Sequence, residues 1–204
     1  MNFPYGQAEL DYLSAKDAKL AAVIAKVGKI EREVNPDVFG ALVSSIIGQQ
    51  ISGKAATTIR QRIVKLCWGE VTPRRLCGLS DDSLAACGLN YPKINYLRKA
   101  ATAAMTGQVD FAALKALPDD KFIDKITSLP GVGRWTAEML LIFSLQRPDV
   151  ISYDDLGIRK GMQLLYGIDN VRRKDFLRLS EAYHPYATIA SFYLWYVGNN
   201  DWQP

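Results

Sequence analysis

The run Leu129-Pro130-Gly131-Val132-Gly133-Arg134-Trp135-Thr136-Ala137, followed downstream by Tyr153-Asp154-Asp155-Leu156-Gly157, places a backbone-amide anion site upstream of a carboxylate. The segment from Asp119 to Ser128 reads as a helix that Pro130 stops, and a second apolar helix starts at Arg134 and reaches about Leu145. Between them two glycines permit positive φ in a tight turn. Neither carries a Cβ, so the oxygens of an anion can come close to the N–H groups of Gly131 and Gly133, and the helix start beyond them adds partial positive charge. An ordinary Pro-Gly turn between packed helices has the same local form. Asp154 and Asp155 likewise precede a helical run, Leu156 to Tyr166, where an aspartate most often serves only as a cap. Together, the anion site and the acidic pair point to chemistry on a phosphate-bearing substrate.

The elements that must position these groups read as helices throughout. Asn35-Pro36-Asp37 opens a helix whose apolar positions Val38, Ala41, Leu42 and Ile46 recur at helical spacing, ending near Gln49. Ser52 caps the next, with Ile59, Ile63 and Leu66 on one face and Gly69 beyond its end. Thr72-Pro73 and Ser80-Asp81-Asp82 repeat the cap signal for two short helices, the second closed by Gly88. Pro92 to Met105 forms a longer helix, and Asp110 caps another that Pro118 stops. After the hairpin come helices over Leu156 to Tyr166, Arg173 to Ala182 and Ala187 to Tyr196. No stretch alternates with period two between hairpin turns, so strand content should be very low.

A chain of 204 residues, 49% of them hydrophobic, can bury one sizeable core, divided into two helical lobes with a cleft between them. The net charge of +4 fits a polyanionic partner but does not single one out. Its distribution says more. Lys54, Arg60, Arg62, Lys65, Arg74 and Arg75 face only Glu70 in the same stretch, and Arg172, Arg173, Lys174 and Arg178 form a second group. Cys67, Cys77 and Cys87 are spaced ten residues apart and fit neither a disulfide framework nor zinc-ligand spacing. No carboxylate or histidine cluster has metal-ligand spacing, which disfavours metal-assisted hydrolysis. The first residues lack a basic start with an apolar core, and no apolar run is long enough to span a bilayer. A soluble protein follows, in the cytoplasm of a bacterium or the nucleus of a eukaryote.

The whole run from Leu129 to Gly161 resembles the helix-hairpin-helix plus Gly/Pro-rich loop and aspartate superfamily of DNA glycosylases, and Gly133-Arg134-Trp135-Thr136-Ala137 is similar to its 3-methyladenine glycosylase II, or alkylpurine, branch. Weaker likeness extends to Ser45-Ile46-Ile47-Gly48-Gln49-Gln50-Ile51-Ser52, to Gly88-Leu89-Asn90-Tyr91-Pro92-Lys93 and to Tyr193-Leu194-Trp195-Tyr196, so the resemblance covers about Pro36 to Trp202. It implies an all-α fold of two helical lobes around a DNA-binding cleft. It also implies one glycosylase domain over residues 1–204 without an N-terminal mixed α/β domain.

The same resemblance assigns roles residue by residue. Asp155, the second of the acidic pair, matches the catalytic carboxylate; breaking an N-glycosidic bond builds positive charge on the sugar, and a carboxylate can stabilise that charge, activate water, or both. A base methylated on N3 or N7 is already cationic and needs little general acid, so one carboxylate can suffice where sugar hydrolases use two. Trp135 stands where bifunctional relatives carry an amine nucleophile, which implies a monofunctional enzyme. Trp135, Met139 and Trp195 would line the base pocket, with Met139 replacing an aromatic, and the aromatic faces would favour a cationic base. Gly131, Val132, Gly133 and Arg134 would hold DNA phosphate. Gln49 and Gln50 are the candidate wedge residues that fill the space of an extruded base, with Gln50 the better match, and Lys93 is a candidate phosphate contact. Phe143, Phe192, Tyr193 and Tyr196 read as core and His184 as a loop residue.

No metal is expected, nor an iron–sulfur cluster, since no cysteine follows Cys87; a monovalent cation at the hairpin is compatible with the turn. The expected partner is double-stranded DNA containing alkylated bases, bound by a monomer. The competing function is a non-catalytic helix-hairpin-helix module that binds DNA or senses lesions, but such a module has no use for a carboxylate that repels the backbone.

Overall fold

The computed structural model describes residues 1–200; Trp202, where the resemblance ends, lies outside the described residues. Among the described residues the regular elements are helical, with one isolated antiparallel bridge between Asn2 and Glu33. In chain order they are α1 (Gln7–Lys16), α2 (Ala18–Val27), α3 (Val38–Gly48), α4 (Gly53–Leu66), α5 (Pro73–Gly78), α6 (Asp81–Ala86), α7 (Tyr91–Met105), α8 (Asp119–Thr127), α9 (Arg134–Phe143), α10 (Leu156–Tyr166), α11 (Arg173–Ser180) and α12 (Ala187–Asn199). Short 3₁₀ turns occupy Ala113–Ala116 and Glu181–Tyr183.

The described residues form two compact units, one of Met1–Val34 with residues 141–200, the other of Asn35–Leu140. In the first, α12 is buried on every side from Ala187 to Leu194, as a helix apolar all round must be, and α10 and α2 pack on it. In the second, α7 packs against α3, α5 and α6, with Leu42, Ile46, Ile63, Leu76, Leu84, Ile94, Leu97, Phe122 and Ile126 buried.

Several helix starts follow their side-chain caps. Ser52 accepts the N–H of Ala55 (3.3 Å), Thr72 that of Arg75 (3.3 Å), Ser80 that of Ser83 (3.2 Å) and Asn90 that of Lys93 (3.0 Å). Four expectations require correction. The helix expected at Pro36 begins at Val38, because Asn35 Oδ1 accepts the N–H of Asp37 (3.1 Å) and closes an Asx turn ahead of it. Asp110 opens only a 3₁₀ turn, its Oδ1 taken by the N–H groups of Ala112 (3.0 Å) and Ala113 (3.1 Å), with Pro118 too near for a longer helix. The hairpin's second helix stops at Phe143, before Gln146 turns left-handed (φ 56°). The helices α1 and α2, absent from the sequence reading, are real; Asp17 caps α2 by accepting the N–H of Leu20 (2.9 Å), and Leu10, Leu13, Leu20, Val23 and Ile24 are buried.

Candidate active site

In the first unit the acidic pair separates cleanly. Asp154 is exposed, whereas Asp155 is 8% exposed and caps α10, its Oδ1 accepting the N–H of Ile158 at 2.9 Å. The same oxygen accepts the indole N–H of Trp195 at 2.8 Å. Capping alone therefore does not account for Asp155: a second donor from another helix fixes the carboxylate's direction. That donor is in reach because α10 and α12 touch through glycine. A Cβ on Gly157 would stand 2.8 Å from Trp195 Cδ1, one on Gly161 would stand 2.1 Å from Leu194 O, and one on Gly198 would stand 2.6 Å from Gly157 O. The Gly157 and Gly161 spacing, one helical turn apart, thus places the Trp195 edge on the carboxylate.

Trp195, a candidate for lining a base pocket, is half-buried; its ring packs in a cluster with Phe143 (5.7 Å between centroids) and Phe192 (6.2 Å), and its N–H donates to Asp155. Tyr153, just before the pair, meets Phe176 edge-on and lies under the guanidinium groups of Arg159 (5.3 Å) and Arg173 (5.4 Å), so part of the second basic group anchors this loop. His184 pairs with Asp149 Oδ1 through Nδ1 (2.7 Å), and that oxygen also accepts the N–H of Ala187 at the start of α12 (3.2 Å).

In the second unit the hairpin turn is anchored by buried Leu129 and Val132, with the Val132 N–H on Leu129 O (3.2 Å). The two glycines are not equivalent. Gly131 is left-handed (φ 78°), and a Cβ on it would fall 2.3 Å from the ring of Tyr96; Gly133 has no positive φ, and a Cβ there would meet nothing within 4 Å. Gly131 serves the fold, and only Gly133 leaves bare backbone toward an outside ligand. Gly133 O accepts the Ala137 N–H (3.1 Å), so the first turn of α9 begins here, with its N–H groups at the positive end of the helix. Arg134 extends from it, 60% exposed, held by Glu138 through Nε to Oε1 (2.8 Å).

The other candidates of this unit converge on the end of α3. Gln50 is exposed with φ 56°, whereas the Gln49 side chain donates Nε2–H to Gly131 O (2.8 Å). Lys93 needs correction as a phosphate contact. Its ammonium turns inward to the carbonyls of Ile47 (2.8 Å) and Gln49 (2.6 Å), and burial lowers its pKa. A hollow of about 280 Å³ is lined by Ser44, Ser45, Gly48, Gln49, Gln50 and Trp135. Trp135 is 41% exposed, and Met139, a turn further along α9, is half-buried outside that lining. The sequence reading missed Ser44 and Tyr96. Ser44 and Gly48, small residues a turn apart in α3, were the signal for the first; nothing in the sequence near Tyr96 announced its contact with Gly131.

Among the described residues no group of His, Cys, Asp or Glu could hold a metal ion, and the three cysteines are free. In the hairpin, Leu129 O and Gly131 O each accept one N–H and keep a second lone pair. No helix is long and apolar enough to cross a membrane among the described residues.

With this geometry in view, residues 43–184 match the model of the HhH-GPD superfamily of base excision DNA repair proteins. The chain belongs to that superfamily. It is 35% identical over 161 residues to DNA-3-methyladenine glycosylase 1 of Schizosaccharomyces pombe, covering 77% of this chain and 71% of that one. Its fold is similar to the crystal structure of a DNA-3-methyladenine glycosidase from Bacillus halodurans (TM-score 0.87, 35% identity, 95% of this chain and 90% of the other). It is also similar to S. pombe 3-methyladenine DNA glycosylase Mag1 in complex with abasic DNA (TM-score 0.84, 30% identity, 97% of this chain and 100% of the other).

Proposed function

We propose that this HhH-GPD protein is a monofunctional DNA glycosylase that hydrolyses the N-glycosidic bond of alkylated purines, 3-methyladenine and 7-methylguanine, in base excision repair. The observation that carries the reading is Asp155: a carboxylate kept 8% exposed and oriented by both the Ile158 N–H and the Trp195 indole. A cap needs only the first of these bonds; the second has a purpose if the direction of the charge matters.

Its second unit supplies the grip on duplex DNA. The N–H groups at the start of α9 and the Arg134 guanidinium meet phosphate, a sequence-independent contact. A monovalent cation on the hairpin carbonyls would add positive charge beside that phosphate. Gln50, exposed and left-handed, is the wedge that fills the stack when a base leaves it. The extruded base stacks on Trp135 over the small floor of Ser44, Ser45 and Gly48. A cationic purine gains about 0.5–2 kcal/mol from such an aromatic face. With Met139 outside that lining, the aromatic surface comes from Trp135, which narrows the range toward 3-methyladenine, whose bond is the more labile.

The chemistry follows from the charges. As the bond between the sugar's anomeric carbon and the purine nitrogen breaks, its electron pair leaves with the base, and a cationic methylpurine departs neutral. The Asp155 carboxylate stabilises the positive charge left on the sugar and takes a proton from the water that adds to the anomeric carbon. The products are free base and an intact strand with an abasic site. Incubating the protein with methylated duplex and separating the released bases by chromatography tests the reading. Release of 3-methyladenine supports it; binding without release would make the chain a lesion-sensing module.

A further inference from the structure

The end of α3 is tied down by three hydrogen bonds to two partners within one unit, the hairpin and α7. The Gln49 side chain donates to the hairpin through Gly131 O (2.8 Å), while the Gln49 backbone carbonyl accepts from Lys93 Nζ (2.6 Å). Lys93 Nζ also donates to Ile47 O (2.8 Å), so the ammonium caps carbonyls that α3 leaves without intrahelical partners and meets the negative end of its dipole. Lys93 is 9% exposed, and a buried cation is costly unless such bonds compensate it. One turn along α7, the Tyr96 ring fills the place where Gly131 would carry a Cβ. The first turns of α7 therefore hold both the hairpin and the end of α3, and Gln49 closes the triangle.

The residue that follows is Gln50, in the left-handed region that a side chain adopts at a cost and keeps only where its surroundings over-determine it. We propose that Gln49 and Lys93 are positioning residues that lock the wedge Gln50 to the hairpin, so that a phosphate seated on the hairpin sets the depth at which Gln50 enters the base stack. The proposal rests on the glycosylase reading above and deepens it: grip and extrusion are one rigid device, and neither residue touches DNA.

The test is a double-mutant cycle of Gln49→Leu, which keeps bulk and removes the donor, with Gln50→Ala. Single-turnover base release is measured on duplex containing 7-methylguanine flanked by 2-aminopurine, whose fluorescence reports unstacking. Gln49→Leu should slow release and unstacking about tenfold, the scale of one lost hydrogen bond. Affinity for undamaged duplex should stay within about twofold, because the hairpin amides remain. In the Gln50→Ala background Gln49→Leu should have no further effect. Lys93→Met should behave as Gln49→Leu, and Lys93→Arg should restore part of the loss; if Lys93→Met does not fold, the Gln49 cycle decides. Wild-type release by Gln49→Leu, or effects of the two substitutions that simply add, would overturn the proposal. If the wild-type protein releases no base, the glycosylase reading fails, and 2-aminopurine then decides alone: unstacking lost in Gln49→Leu as in Gln50→Ala supports the lock, and unstacking retained in Gln49→Leu overturns it.

Discussion

The indole N–H of Trp195 donates to Oδ1 of Asp155 across 2.8 Å, on the oxygen that also accepts the N–H of Ile158 at 2.9 Å. The carboxylate of a helix cap is thereby given a fixed heading by a ring from a different helix. This relationship depends on Gly157, since a Cβ there would stand 2.8 Å from Trp195 Cδ1.

Trp195→Phe keeps a ring beside Phe143 and Phe192 and removes only the donor. Base release under saturating DNA should fall about tenfold with little change in KM, the scale of one hydrogen bond to a charged group. The loss should be equal for cationic and neutral lesions, because the role of Trp195 is to orient the charge. A loss confined to cationic bases would show that the ring binds the base instead.

The two hairpin glycines should respond differently. Gly131→Ala meets both the Tyr96 ring at 2.3 Å and a left-handed backbone, and should destabilise the fold by about 1–3 kcal/mol in thermal or denaturant unfolding. Gly133→Ala should leave stability within about 0.5 kcal/mol yet lower affinity for damaged and undamaged duplex alike. Binding isotherms across a salt series would show it, with wild-type affinity weakening as salt rises. Unchanged affinity in Gly133→Ala would remove the hairpin as the anchor.

Trp135 stands in the motif where a bifunctional enzyme presents an amine. The product should be an unbroken strand with an abasic site, and borohydride should trap no covalent protein–DNA adduct. A trapped adduct that depends on a native lysine would contradict a hydrolytic mechanism.

Trp135→Ala should reduce release of 3-methyladenine and 7-methylguanine more than release of a neutral base such as hypoxanthine, because only a positive ring gains the cation–π attraction. Equal losses across a panel of lesions would point to a hollow that reads shape.

Much of this was legible in the sequence because it is local. Caps such as Ser52, Thr72 and Ser80 announce themselves by type and by the bonds they make to residues three further on. The hairpin and the acidic pair were legible as a motif, and the choice of Asp155 over Asp154 rests on resemblance. What was hidden is tertiary. Lys93 reads as a solvent-facing charge until the carbonyls of Ile47 and Gln49 are brought to it from more than forty residues away. Trp195 reads as an aromatic wall until the glycine contact between α10 and α12 puts its edge on Asp155. Gly131 and Gly133 look alike in the chain, and only Tyr96 and the sign of φ separate them. The helices α1 and α2 were missed although Asp17 caps the second and the left-handed Gly28 closes it, local signals of the same kind as Ser52 and Gly69.

The most direct measurement of the central claim is single-turnover release of 3-methyladenine from methylated duplex by the wild type, by Asp155→Asn and by Asp154→Asn. Release is expected from the wild type and from Asp154→Asn, and none above background from Asp155→Asn. Asp155→Asn should still bind the damaged duplex at least as tightly, because the charge that stabilises the transition state is lost while its repulsion of phosphate is relieved. Wild-type release by Asp155→Asn, with Asp154→Asn inactive, would contradict the assignment of the catalytic carboxylate.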